Sequence, residues 1–207
     1  GFCFNVRVLA GKMQALIEAI RSQGRGIGSE IVKVDSFLNH RLDTGLLFEM
    51  GEAFAQRYAG DKPDLVLTVE ASGIALALAT AHALGDIPVV FAKKAPAANQ
   101  SGDMAEEKIY SFTHGHECHI RVDLRYIPAG AKVLIVDDFL ANGEALRGLI
   151  AILKRAQAQL IGVGIAIEKG FQPGGRKIRA MGIPLLSLAV IEEIRDGHIR
   201  FQDTVQQ

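Results

Sequence analysis

Cysteine is scarce, charge of either sign is in no excess, and long apolar runs are missing. The two cysteines, Cys3 and Cys118, stand far apart with no CxxC spacing. That argues against a disulfide scaffold and fits a reducing, cytoplasmic home. The 23 Lys and Arg are matched by 23 Asp and Glu, so there is no basic excess to grip nucleic acid or anionic lipid. A local positive pocket for one small anion stays compatible with this balance. No apolar run approaches the roughly 20 residues that cross a bilayer. The opening stretch GFCFNVRVLAGK is broken by Arg7 and Lys12 and lacks the order of a secretory signal, so residues 1–12 read as an extension or leader. Internal repeats and low-complexity tracts are absent.

What is present is ordinary globular composition, 49% hydrophobic, in 207 residues, the size of one α/β domain. Met13, Leu16, Ile17 and Ile20 recur at helical spacing and predict an amphipathic helix ending near Gly24. A second helix is expected after Asp43-Thr44, with Leu46, Leu47, Met50 and Phe54 on one face. Leu65–Val69 is wholly apolar and suits a strand buried on both faces of a parallel sheet. A helix over Ile74–Leu84 and a strand over Pro88–Ala92 complete a βαβ unit. From Ala95 to Lys108 the chain is small, polar and acidic, and is expected to be a long loop of the kind that covers a site. Strand-like alternation follows in IYSFT at 109–113 and at Ile120, Val122, Leu124 and Tyr126, consistent with a hairpin flanking the loop, then a turn at Pro128–Gly130. Lys132–Phe139 is the strongest strand signal, followed by a helix from Gly143 to about Gln157, with Leu146, Leu149, Ile150 and Leu153 inward. A strand over Leu160–Lys169, a loop at Phe171–Gly175 and a strand around Leu185–Ile191 close the domain. Buried strands alternating with helices predict an α/β fold with a mostly parallel, twisted sheet.

Chemistry concentrates in Val133–Leu146, where an apolar strand ends in Asp137 and Asp138, followed by a small-residue turn and a helix start. Ligands of open α/β sheets bind beyond the carboxyl ends of the strands. The turn Ala141, Asn142, Gly143, Glu144, Ala145 lets backbone N–H groups converge on an anion at a helix N-terminus. Two acids beside an anion cradle suit a ligand carrying both hydroxyls and a phosphate, such as a ribose phosphate. Glu70, Ala71, Ser72 and Gly73 also join a strand to a helix and form a second candidate nest; taken alone, that turn is an ordinary βα connection.

The stretch Val133–Leu146 resembles the phosphoribosyl-diphosphate signature of the type I phosphoribosyltransferases. Asn142 and Ala145 stand where many members carry threonine, which leaves more of the phosphate contact to the backbone. VDDFLANG, with VKVDSFLNH at 32–40, VVFAKK at 89–94, YSFT at 110–113 and IEKGFQPG at 167–174, is similar to the xanthine-using branch, in the same order. The resemblance implies transfer of a 5-phosphoribosyl group from phosphoribosyl diphosphate to N9 of xanthine in purine salvage. It implies a homodimer and Mg²⁺ carried by the diphosphate rather than by protein ligands. It also implies a hood from about residues 25–42 and 168–201 and a flexible lid at about 95–109. By the same likeness Asp137 and Asp138 hold the ribose hydroxyls and favour the developing positive charge, while 141–145 anchor the 5′-phosphate. Glu70–Gly73 receive the diphosphate, with Lys93 or Lys94 beside it. Val32, Asn39, Lys169 and Phe171 meet the base. The lid segment before Lys108 brings no basic residue. Rival expectations are the same transfer to guanine or hypoxanthine, and a non-catalytic sensor of phosphoribosyl diphosphate. The sensor is disfavoured because residues 1–12 are too short for a helix-turn-helix and no basic excess exists. HGHECH at 114–119 has metal-type side chains but no second ligand pair, and reads as a solvated hairpin.

Overall fold

The computed structural model describes residues 8–9, 12–95, 103–111 and 116–202. A two-residue pair, β1 (Val8–Leu9) with β2 (Lys12–Met13), leads into α1 (Gln14–Gln23). β3 (Arg25–Ile27) and β4 (Ile31–Lys33) form a small hairpin, and a turn of wide helix follows at Asp35–Asn39. Next come α2 (Thr44–Tyr58), β5 (Leu65–Val69), α3 (Ser72–Ala83) and β6 (Val89–Ala95). The second half holds β7 (Met104–Ser111), β8 (His116–Asp123), β9 (Lys132–Leu140), α4 (Glu144–Arg155), β10 (Gln159–Lys169), α5 (Gly174–Ala180), β11 (Leu185–Arg195) and β12 (His198–Phe201).

Eight strands form the main sheet in the order β12-β11-β10-β9-β5-β6-β8-β7. The five central strands, β11 to β6, run parallel, and β12, β8 and β7 add antiparallel edges. Two apolar layers clothe it. One gathers Leu16, Met50, Phe54 and Leu76 from α1–α3 over Val66, Leu134 and Val136. The other gathers Leu146, Leu149 and Leu153 from α4, with Ile109 and Ile120 of the edge hairpin, over Leu67, Val133 and Ile135. Successive residues of β5 and β9 thus serve opposite layers, which is why these strands read as unbroken apolar runs. The α2 start follows its expected chemistry: the Asp43 carboxylate accepts the Leu46 N–H at 3.1 Å.

Three expectations need correction. The loop expected over 95–108 is strand from Met104 onward, paired to β8 from Met104↔Asp123 to Ser111↔His116. Only Ala105 and Ile109 are buried there, while Glu106 contacts His119 and Arg121 across the pair and Lys108 reaches Glu117 at 2.6 Å. An edge strand with one charged face imitates a loop in sequence. Residues 96–102, the middle of the expected lid, lie outside the described residues. Alternation through Leu124 and Tyr126 stops at Asp123, whose carboxylate accepts the Arg125 N–H at 3.0 Å and turns 124–126 into a short 3₁₀ helix. Finally, the loop placed at Phe171–Gly175 runs into α5, and β12 pairs back on β11. Gly174 and Gly175 hid that helix, yet both are needed. A Cβ at Gly175 would lie 1.9 Å from Glu168 Oε1, and one at Gly174 would lie 2.3 Å from the Ala141 carbonyl. Residues 1–7 and 10–11, within the expected leader, lie outside the described residues.

Candidate active site

The chain leaves β5 for β6 on one side and β9 for β10 on the other, so a crevice opens where these neighbouring strands part. Register sharpens it. β9 pairs with β5 only as far as Leu67↔Ile135, but with β10 as far as Leu140↔Glu168. Asp137 and Asp138 therefore lie beyond the last β5 contact while still held in line by β10. Both are 8% exposed. The Asp138 N–H donates to Asp137 Oδ1 at 3.0 Å, and the Phe139 N–H donates to Asp138 Oδ1 at 3.0 Å. Burial, and then the Asp138 carboxylate beside it, push the Asp137 carboxyl well above the usual carboxylate range; the Lys94 charge opposes this weakly.

Two helix N-termini flank the acids. Gly143, at φ +86°, turns the chain into α4 without a side-chain cap, leaving the first N–H groups available to an anion. Ala141 to Ala145 are half-buried. Their loop is braced from α5: the Gly174 N–H donates to the Ala141 carbonyl at 2.9 Å, and Lys177 Nζ lies 3.5 Å from the Asn142 carbonyl. Glu144 turns to Arg147, at 3.2 Å. The second nest, Glu70 to Gly73, enters α3 through a cis Glu70–Ala71 peptide, again with no side-chain cap. Glu70 Oε1 accepts the Lys94 N–H at 2.7 Å, tying that turn to the end of β6.

Lys93 and Lys94 do not act as one unit. Val90 and Ala92 belong to the α4-side layer and Val89 to the α3-side layer, so alternation places Lys94 on the α4 side with Val133 and Ile135, and Lys93 on the other. The charge that reaches Asp137 is that of Lys94.

At the β10 end, Lys169 is half-buried and donates through Nζ to the Glu30 carbonyl at 2.6 Å, drawing the β3–β4 hairpin tip over the site. Burial pulls its ammonium below the usual lysine range, with Glu30 acting the other way. Val32 pairs with Gly26 in that hairpin and is buried; Phe171 is partly buried against the α1–α3 layer. Asn39 ends the wide turn anchored by Phe37 and Leu38, and is exposed. The hairpin also meets the β11–β12 turn, since a Cβ at Gly26 would lie 2.5 Å from Ile194.

Sequence reasoning passed over three groups. Glu168, 3% exposed, is gripped by Arg179 at 2.7 and 2.8 Å and by the Ser187 hydroxyl at 2.5 Å. Burial alone would raise its carboxyl; Arg179 and Ser187 outweigh it and hold the group below the usual range. A glutamate inside an apolar strand was the available signal, because a buried charge demands a partner. Thr68, fully buried next to Gly73, has a hydroxyl with no hydrogen-bond partner. It resembled any β-branched strand residue. The third group is Gly174, which resembled a loop glycine.

Among the described residues no three His, Cys, Asp or Glu side chains gather to hold a metal. Of the HGHECH run, His114, Gly115 and the His116 side chain lie outside the described residues; Cys118 is half-buried and His119 Nδ1 lies 2.6 Å from Glu106 Oε1. No helix among the described residues is long and apolar enough to cross a membrane.

Comparison with known proteins agrees with this geometry. The family described as phosphoribosyl transferase domain matches residues 42–180. A xanthine phosphoribosyltransferase of Clostridioides difficile (strain 630) is 47% identical over 190 residues, covering 92% of this chain and all of the relative. Another, from Heliobacterium modesticaldum, is 50% identical over 189 residues, covering 91% of this chain and all of its own length. Among solved structures, adenine phosphoribosyltransferase from Rhodothermus marinus superposes with a TM-score of 0.67 at 21% identity, covering 86% of this chain and 99% of that one. At that identity it is the fold that is shared.

Proposed function

The chain belongs to the phosphoribosyl transferase family, and from that premise we propose that it transfers the 5-phosphoribosyl group of phosphoribosyl diphosphate to N9 of xanthine. The products are xanthosine 5′-monophosphate and diphosphate, a purine-salvage reaction. One observation carries the chemistry: two buried carboxylates, Asp137 and Asp138, stand at the switch point between two uncapped helix N-termini. The choice of xanthine rests on relatives 47% and 50% identical over nearly the whole chain.

In this reading Asp137 and Asp138 accept the ribose 2- and 3-hydroxyls. Displacement at the anomeric carbon passes through an oxocarbenium-like state, and a buried carboxylate pair favours the positive charge that builds there. The 141–145 loop takes the 5′-phosphate through backbone N–H groups. The 70–73 turn, with Lys94 beside it, takes the diphosphate. A Mg²⁺ ion carried by the diphosphate would supply charge neutralisation to the leaving group. Its ligands would come from the substrate rather than from protein side chains. The hairpin tip, Asn39, Lys169 and Phe171 form the hood over the base, in which Lys169 donates to an oxo group and Asn39 pairs with the 2-position.

A cytoplasmic homodimer goes with this reading. Phe48 packs edge-on to His82 at 5.8 Å, and Leu78, one turn from His82, is 61% exposed; together they give α2 and α3 an apolar outer face suited to a second copy. Small substrates rather than nucleic acid fit the balanced charge.

The deciding measurement is diphosphate release from phosphoribosyl diphosphate and Mg²⁺ with xanthine, guanine, hypoxanthine or adenine, in the parent and in an Asp137→Asn/Asp138→Asn variant. Preference for xanthine, lost in the variant, is expected. Preference for guanine or hypoxanthine keeps the transfer and overturns the base assignment. Tight binding of the sugar diphosphate without turnover on any base overturns the enzyme.

A further inference from the structure

Thr68 is the next-to-last residue of β5, still paired with Phe91 of β6 but one step beyond the last β5–β9 pair, so on its β9 side it borders the crevice. It has no exposed surface, and among the described residues its Oγ1 has no hydrogen-bond partner. Thr80, also fully buried, is satisfied by the Leu76 carbonyl at 2.8 Å. A hydroxyl without a partner in a dry interior is unfavourable, and an apolar residue of the same shape would avoid it. Valine has that shape, and the neighbouring strand positions Val66 and Val69 are valine already.

The position of Gly73 shows what the hydroxyl is near. A Cβ built there would lie 2.1 Å from Thr68 Oγ1 and 2.8 Å from Asp137 Oδ1. Two oxygens from two strands thus border the same small space at the first turn of α3, and that space exists because residue 73 has no side chain. Among the described residues, the Asp138 N–H donates to Asp137 Oδ1 at 3.0 Å. A buried carboxylate gathers two or three donors when it carries its charge, and a hydroxyl rotates freely to become one of them.

We propose that Thr68 is a positioning residue: in the substrate-loaded site its hydroxyl donates to the Asp137 carboxylate and holds that acid toward the ribose. The assignment of Asp137 to the ribose rests on the function proposed above. The hydroxyl's place beside Asp137 does not. Gly73 is then part of the same device, since any side chain there separates the two oxygens. The charged groups around Asp137 are Asp138 on its own strand and Lys94 on β6; Glu70, at the β5–α3 junction, is engaged with the Lys94 backbone.

The test compares Thr68→Val, which keeps the shape and removes the hydroxyl, with Thr68→Ser, which keeps the hydroxyl. In diphosphate release, Thr68→Val is expected to lower kcat about tenfold or more, the size of one hydrogen bond to a charged group, with KM for xanthine unchanged. Thr68→Ser restores most of the loss. Parent-like kcat in Thr68→Val, or equal losses in both variants, overturns the proposal, because a packing role would not distinguish the two. Independently of turnover, the Asp137 carboxyl is titrated by carbon NMR in protein loaded with phosphoribosyl diphosphate and no base, its signal assigned by its loss in Asp137→Asn. The titration is expected to move up by about one pH unit in Thr68→Val and to return in Thr68→Ser. An unmoved titration overturns the proposal even if the enzyme is active. A moved one sustains it even if the parent transfers to no base, in which case only the assigned reaction falls.

Discussion

Glu168 and Arg179 meet through two parallel hydrogen bonds, at 2.7 and 2.8 Å, and so lock the end of β10 to α5. The consequences run both ways along the chain. Lys169 follows directly on Glu168, and α5 presents Gly174 and Lys177 to the 141–145 loop. One ion pair thereby sets the spacing between the proposed base end and phosphate end of the site.

Replacing Arg179 by methionine leaves a buried carboxylate with the Ser187 hydroxyl as its remaining side-chain partner. Because the guanidinium is half-exposed and its charge is screened, the expected loss is about 1–3 kcal/mol at neutral pH rather than the full cost of a buried pair. The pH dependence follows from sign. In the parent, Glu168 sits below its ordinary value of 4.5, so its contribution to stability is present above that value and lost as pH falls through the folded-state value. In Arg179→Met this gain on leaving acid should vanish. Urea unfolding between about pH 3 and 7 measures it; parallel curves for the two proteins would contradict the assignment.

Asp137 has the opposite sign. Its folded-state value is raised, so the protein's advantage from keeping it neutral is full below 3.8 and is lost as pH rises through the raised value. Asp137→Asn never ionises. It should unfold at higher temperature than the parent at pH 7, match it near pH 3, and lose at least about 10²-fold in turnover. Calorimetry beside the diphosphate assay tests this trade. A less stable variant at pH 7 would refute it.

Gly174 approaches the 141–145 loop too closely for any side chain, its Cβ position being 2.3 Å from a backbone oxygen and 3.0 Å from the Gly143 nitrogen. Gly174→Ala should displace the loop, raising KM for phosphoribosyl diphosphate about tenfold or more while KM for xanthine changes little. An unchanged KM for the sugar diphosphate would show that the 141–145 loop does not carry the phosphate.

Asn39 is proposed to meet the 2-position of the base. Asn39→Ala should therefore lower kcat/KM for xanthine about ten- to a hundredfold, and for hypoxanthine, which has no 2-oxo group, much less. Equal losses on both bases would move the 2-position contact elsewhere in the hood.

Much of this was legible in the order of residues. Leu65–Val69 and Lys132–Leu140 read as buried strands because both faces are covered, and Asp137-Asp138 stood out because acids end an apolar run. Ile109–Ser111 reads as strand, as it is, but Met104–Lys108 of the same strand reads as loop because its outward face is charged, and the start of α5 reads as loop because its two glycines mimic a turn. Both failures share a cause. Local pattern records how a residue meets its own element, whereas Gly174, Gly175 and Glu106 are chosen for what a distant strand or helix places against them.

Composition and periodicity by themselves determined the class of fold, the parallel core and the place proposed for an anion and a hydroxylated ligand, since burial and helix-terminus chemistry act within a few residues. Tertiary structure alone decided which charges are paired, that Lys94 and not Lys93 lies on the α4 side of the sheet, and that Thr68 borders the space Gly73 leaves open. Those relations join residues far apart in the chain, through a sheet register and an alternation of faces that no single segment contains.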